Sequence, residues 1–119
     1  MQSTYDNSHF SPAVIDGGHV FISGVIGTNG DGKVPDDPAE QFQCAFEGVK
    51  TVLEAAGSGL DRIVEMTTYH VDLHSHLGAF FVVKDEHIKE PYPAWTAIGV
   101  SALARRKALV EIRVIASVE

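Results

Sequence analysis

The chain has 119 residues, a hydrophobic fraction of 45% and a single cysteine. That is enough for one domain (1–119) with a buried core, and it leaves no internal disulfide framework. A formal net charge of −7 opposes approach to phosphate backbones, and the one basic cluster, Arg105-Arg106-Lys107, reads as a solvated loop rather than a nucleic-acid patch. No apolar run nears the ~20 residues of a membrane span and no basic-plus-apolar leader opens the chain; with lone Cys44, this points to a cytoplasmic protein without membrane or nucleic-acid partners.

Residues 1–9 are polar and unpatterned, a loosely held lead-in. Ser11–Asp16 and His19–Ile26 flank Asp16-Gly17-Gly18, a turn signal that predicts a β-hairpin. The second strand is apolar on both faces, with Val20, Ile22 and Ile26 on one side and Phe21 and Val25 on the other. The loop that follows contains Gly27-x-x-x-x-Gly32-Lys33, the core of a phosphate-binding loop. Val34 stands where that motif needs Ser or Thr, and Pro35 and Pro38 stand where its helix would begin, so no nucleotide is expected there.

Asp37 to Ala56 carries the clearest helical signal. Asp37 caps it, Pro38 takes the first position, and Phe42, Ala45, Phe46, Val49, Leu53 and Ala56 form one apolar stripe before Gly57 ends it. Cys44 lies beside the stripe as a packing residue. Arg62–Asp72 is rich in β-branched and aromatic residues and predicts a strand. Ser75 to Ile88 predicts a second helix, capped by Asp72 or Ser75, with Leu77, Phe80, Phe81, Lys84 and Ile88 on one side. His70, His74 and His76 lack the spacing of a metal site and read as surface histidines.

Two further strands, Trp95–Val100 and Ala108–Ala116, complete the order ββαβαββ. In the last, Val110, Ile112, Val114 and Ala116 point one way, and Leu109, Glu111, Arg113 and Ile115 the other. Two helices cover only one face of such a mixed sheet, yet several strands are apolar on both faces. The economical cover for the second face is another copy of the chain.

The sequence resembles the YjgF-type, or reactive-intermediate deaminase (Rid), family over nearly its whole length. The motifs are Phe10-Ser11-Pro12-Ala13, Phe21-Ile22-Ser23-Gly24, Leu53-Glu54-Ala55-Ala56-Gly57, Thr68 to Asp72, Pro93-Ala94, and Val110-Glu111-Ile112-Arg113-Val114-Ile115-Ala116. The resemblance implies a chorismate-mutase-like α+β fold and a homotrimer whose sheets form a central barrel, with a small-molecule ligand in an intersubunit cleft. It implies cofactor-free and metal-free hydrolysis of amino-acid-derived enamines and imines to keto acids and ammonia. By the same resemblance, Glu111 is the catalytic glutamate and Ser23 lines the pocket. The family's carboxylate-holding arginine falls on Trp95, followed by Thr96, and its tyrosine falls on Phe10. Arg105 or Arg106 of a neighbouring copy is the candidate to restore the missing charge.

Three functions follow: a deaminase-type hydrolase with altered substrate preference and Glu111 as general base, a non-catalytic small-ligand binder with Trp95 as an apolar wall, and a ribonuclease. Acidic charge and the lack of a paired His/Lys motif oppose the last. Glu111 also admits a purely structural role, as the ion-pair partner of Arg113, Arg105 or Arg106.

Overall fold

The computed structural model describes residues 6–119; the first five residues of the expected lead-in lie outside it. The elements are β1 (Ala13–Asp16), β2 (His19–Ile22), β3 (Val25–Ile26), α1 (Pro38–Ala55), a short 3-10 turn (Leu60–Arg62), β4 (Ile63–Val71), α2 (Leu73–His87), β5 (Ala94–Val100) and β6 (Val110–Ser117). They form one mixed sheet in the order β1-β2-β6-β4-β5, with β3 also on β6. The β4–β5 pair is parallel and the other pairs are antiparallel. The expected α+β order holds, with the second strand split in two.

Local chemistry sets α1. The Asp37 side chain accepts from the Glu40 backbone N–H at 3.0 Å, and Pro38 begins the helix where no N–H is needed. At the other end Gly57 adopts a positive φ of 85°. Its N–H donates to Glu54 and that of Ser58 to Leu53, closing the last turn. The predicted stripe then faces the sheet: Phe42, Ala45, Phe46, Val49 and Leu53 are fully buried against Val20, Ile22, Val110, Ile112 and Val114. Helix α2 begins at Leu73, after Asp72 in a left-handed conformation. It buries Phe80, Val83 and Lys84, whereas Phe81 of the predicted stripe is 43% exposed.

One predicted facing is corrected. Phe21 pairs with Ile115 and Val25 with Ile112, so four residues on one strand span three on the other. The extra residue at Ser23-Gly24 is a β-bulge, and it turns the alternation over. Val25 therefore joins the core face and Ile26 lies opposite Glu111 on the other face. Ser23 ties the bulge down: its hydroxyl donates to the Ser11 carbonyl at 2.7 Å and its N–H to Pro12 at 2.9 Å.

Among the described residues, nothing covers the sheet face turned away from the helices. Register lines up Val14, Phe21, Ile115, Glu65 and Ala94 in one row. The next row holds Arg113, Thr67 and Thr96, and the one beyond it Ile26, Glu111, Tyr69 and Ile98. Val14, Phe21 and Ile98 are exposed large hydrophobics on this face. No helix among the described residues is long and apolar enough to cross a membrane.

Candidate functional site

Glu111 sits in the middle of β6, half-buried on the uncovered face. Its side chain lies against Gly24, where an added Cβ would collide with the carboxylate and meet Glu111 Cγ at 2.8 Å. The bulge and its glycine therefore make the space that the carboxylate occupies. Among the described residues Glu111 forms no ion pair, so Arg113, Arg105 and Arg106 are not its partners within the chain.

Gly24 also lines a small cavity of about 200 Å³ with Phe10, Pro12, Ser23, Val25 and Val52. The fold thus gathers Phe10 and Ser23 around Gly24, with Glu111 against the same glycine. Phe10 is 48% exposed there, and the Ser23 hydroxyl is already committed to the Ser11 carbonyl.

Trp95 and Thr96 are elsewhere. Trp95 is opposite Met66, a core residue, and packs against the core on the helix side of β5. Its ring meets Phe81 edge-on at 5.0 Å, and Lys84 Nζ lies 5.0 Å from the ring centre. Thr96 is exposed on the open face beside Thr67 and, beyond it, Arg113. Within one chain Trp95 therefore does not share a pocket with Glu111.

Arg105 and Arg106 line a third region, an open cleft of about 670 Å³ with Lys33, Asp36, Asp37 and Glu40. Arg105 donates to the Gly32 carbonyl at 3.1 Å, and Lys107 pairs with Asp36 at 3.3 Å. The glycine loop beneath is folded on itself, because Asn29 Oδ1 accepts from the backbone N–H groups of Asp31 and Lys33. Those two donors are not free to cradle a phosphate.

Two buried polar residues escaped sequence reasoning. Gln41 is 2% exposed: its amide donates to the carbonyls of Pro35 and Lys107 at 2.8 and 2.9 Å, and its oxygen accepts from Leu109 N–H at 2.9 Å. It shares the helix face of Phe42 and Ala45, and a polar residue inside that stripe was the available signal.

His70, expected at the surface, is fully buried. The β4 alternation that buries Met66 and Thr68 carries His70 to the same face, against Phe80 at 4.8 Å. Its Nε2 is 2.7 Å from the Thr68 hydroxyl, which also accepts from Trp95 Nε1–H at 2.9 Å. His70 Nδ1 has no partner among the described residues. Burial first, and His76 second, push its pKa down from 6.5 to about 4, so the ring is neutral at pH 7. His74 is exposed, and His76 is 4.0 Å from Asp72. Among the described residues no group of three His, Cys, Asp or Glu is placed to hold a metal.

The family described as Endoribonuclease L-PSP matches residues 2–118. The RutC family protein YjgH of Escherichia coli is 36% identical over 117 residues, spanning 98% of this chain and 88% of the relative. This chain belongs to the YjgF/Rid family. Another relative, the 2-iminobutanoate/2-iminopropanoate deaminase of Dermatophagoides farinae, is 31% identical over 112 residues, or 92% of this chain and 86% of its own. Among solved YjgF/Rid structures, that of protein YJGH superposes with a TM-score of 0.88 at 36% identity over 98% of this chain and 88% of its own. RidA from an Antarctic Psychrobacter gives 0.85 at 33% identity, over 91% and 87%. The chorismate-mutase-like fold of the family is accordingly the fold of this chain.

Proposed function

We propose that this YjgF/Rid protein is a cofactor-free hydrolase of small enamines or imines, with substrate preference altered at Trp95. It works as a homotrimer whose uncovered sheet faces close into a barrel. The observation that carries the reading is Glu111: a half-buried carboxylate, seated against a glycine bulge and without an ion-pair partner among the described residues. A carboxylate spent on an ion pair within the chain would have a cation beside it. The ligand lies between copies, with the Glu111–Gly24 region of one facing the β5 edge of the next. The deaminase among the relatives supplies the reaction class.

The chemistry is hydrolysis and changes no oxidation state. Glu111 takes a proton from water as its oxygen attacks the carbon of C=N. The carbinolamine nitrogen then takes up that proton, the carbinolamine hydroxyl gives its own to Glu111 as the C–N bond breaks, and a carbonyl compound and ammonia leave. Enamines first gain a proton at carbon and give one up from nitrogen to reach the same imine. The chain's one thiol, Cys44, plays no part and suits a reducing cytoplasm.

The second reading, a non-catalytic ligand-binding trimer, draws on Trp95, which fills the arginine position of the motif and packs against α2. Ribonuclease action is disfavoured by the net charge of −7.

An imine-hydrolysis assay coupled to an amino-acid oxidase separates the readings. Wild type should act weakly on 2-aminoacrylate and simple 2-imino acids, because an indole cannot replace two charge-assisted hydrogen bonds worth ~1.5–3 kcal/mol each. Trp95→Arg should raise the rate about tenfold per folded enzyme, and adding Glu111→Gln should abolish the gain. Hydrolysis that survives Glu111→Gln would refute the assigned base.

A further inference from the structure

Lys84 is the one charged side chain that the fold buries among the described residues, at 9% exposure. Its ammonium lies 5.0 Å from the centre of the Trp95 ring and 5.1 Å from that of Phe81. The carboxylate beside it is that of Asp85, the next residue on the same helix, at 3.0 Å and with a side chain 68% exposed. An ammonium has three donors, and Asp85 is its one hydrogen-bond partner among the described residues. A nearly buried cation paired with one exposed carboxylate, flanked by two aromatic rings and with two donors unpaired among the described residues, can receive a second anion.

The platform under it is fixed. Trp95 Nε1–H is pinned by Thr68, and Thr68 in turn contacts His70, which is wholly buried. Trp95 belongs to β5, the edge strand, whose outer side no other strand among the described residues covers.

We propose that Lys84 is the specificity-determining cation of the site, taking the carboxylate of a small ligand that lies along the β5 edge over Trp95. This rests on the intersubunit placement of the ligand argued above. An ammonium is a point charge where guanidinium is a planar fork, so the carboxylate is held without fixed orientation. Short carboxylic acids, rather than uncharged analogues, are the class it selects, with weak turnover as the consequence.

Trp95 is the sole tryptophan in the chain, so its fluorescence reports occupancy directly. The probe is pyruvate, with acetone as the uncharged control, titrated into the intact protein at pH 7. Wild type should show saturable quenching by pyruvate and none by acetone. Lys84→Met should raise the pyruvate Kd at least tenfold, Lys84→Arg should stay within about threefold of wild type, and Asp85→Asn should bind at least as tightly. Circular dichroism confirms that each variant is folded.

Wild type that does not respond to pyruvate, or Lys84→Met that binds it as wild type does, overturns the proposal; should Lys84→Met fail to fold, equal quenching of Lys84→Arg by acetone and pyruvate overturns it instead. The imine assay is scored separately. Lys84-dependent pyruvate binding without hydrolysis keeps the anion site and sinks the hydrolase. Hydrolysis indifferent to Lys84→Met does the reverse.

Discussion

Trp95 and Glu111 stand on opposite faces of one sheet. Trp95 is opposite Met66 on the helix side, whereas Glu111 is opposite Tyr69 on the open side. A site using both must draw them from different copies of the chain, so under the proposed function assembly is a condition of activity rather than an accompaniment to it.

Assembly should therefore be separable from folding. Phe21 is 38% exposed on the open face, whereas its neighbours Val20 and Ile22 supply the core. Phe21→Lys is expected to leave thermal unfolding of the chain cooperative while blocking face-to-face packing. Sedimentation should move from three times the chain mass of 12.8 kDa to the chain mass itself, and imine hydrolysis should vanish with it.

Gly24→Ala tests the seat of the carboxylate. The new methyl would strike the flexible end of Glu111 and leave backbone packing alone. A displacement of about 1 Å in a reacting group costs on the order of a hundredfold. The expected result is a kcat about a hundredfold lower with an unchanged melting temperature; a fall in melting temperature alone would count against the catalytic role of Glu111.

Gly27→Ala should behave oppositely. Its Cβ would collide with the Gln41 carbonyl and come within 2.9 Å of the Ala45 nitrogen, both backbone atoms of α1. The helix would have to retreat from β3, at a cost of about 1–3 kcal/mol in urea unfolding.

His70 sets an acid limit on stability. Its pKa is about 4 when folded against 6.5 ordinarily, so below 6.5 the unfolded chain binds more protons than the folded one. The stabilisation is complete above pH 6.5, declines as pH falls toward 4, and is lost below that. The full loss is on the order of 3 kcal/mol. Urea unfolding of His70→Phe should lack this decline between those two pH values, whatever its stability at pH 7.

What the sequence made legible was whatever its local chemistry decides. Asp37, Pro38 and Gly57 mark the ends of α1, and the three- and four-residue spacing from Phe42 to Leu53 marks its buried face. The facings of Val25 and Ile26 were not legible, because alternation was counted through Ser23 and Gly24 without a break, and a bulge declares itself only in the register with β6. His70 was misplaced for a related reason: its burial follows from the packing of Phe80 over β4, a contact between elements. Trp95 was assigned to the correct strand, but its face depends on pairing with β4. Family likeness singled out Glu111 as a candidate, while Gly24 as its seat emerged only in three dimensions.

Gln41 joins three places that the chain visits far apart in sequence: the approach to α1, the end of the basic loop and the start of β6. Because a single planar amide serves all three, the loosening of any one leaves a buried donor or acceptor of that amide unpaired. The Leu109 amide proton is shielded by an oxygen that belongs to α1. Its exchange with solvent deuterium should keep pace with amides in the middle of that helix, and not with the loop it adjoins. Arg105 and Arg106, though exposed and carried on a long connection, are thereby tied at Lys107 to helix α1.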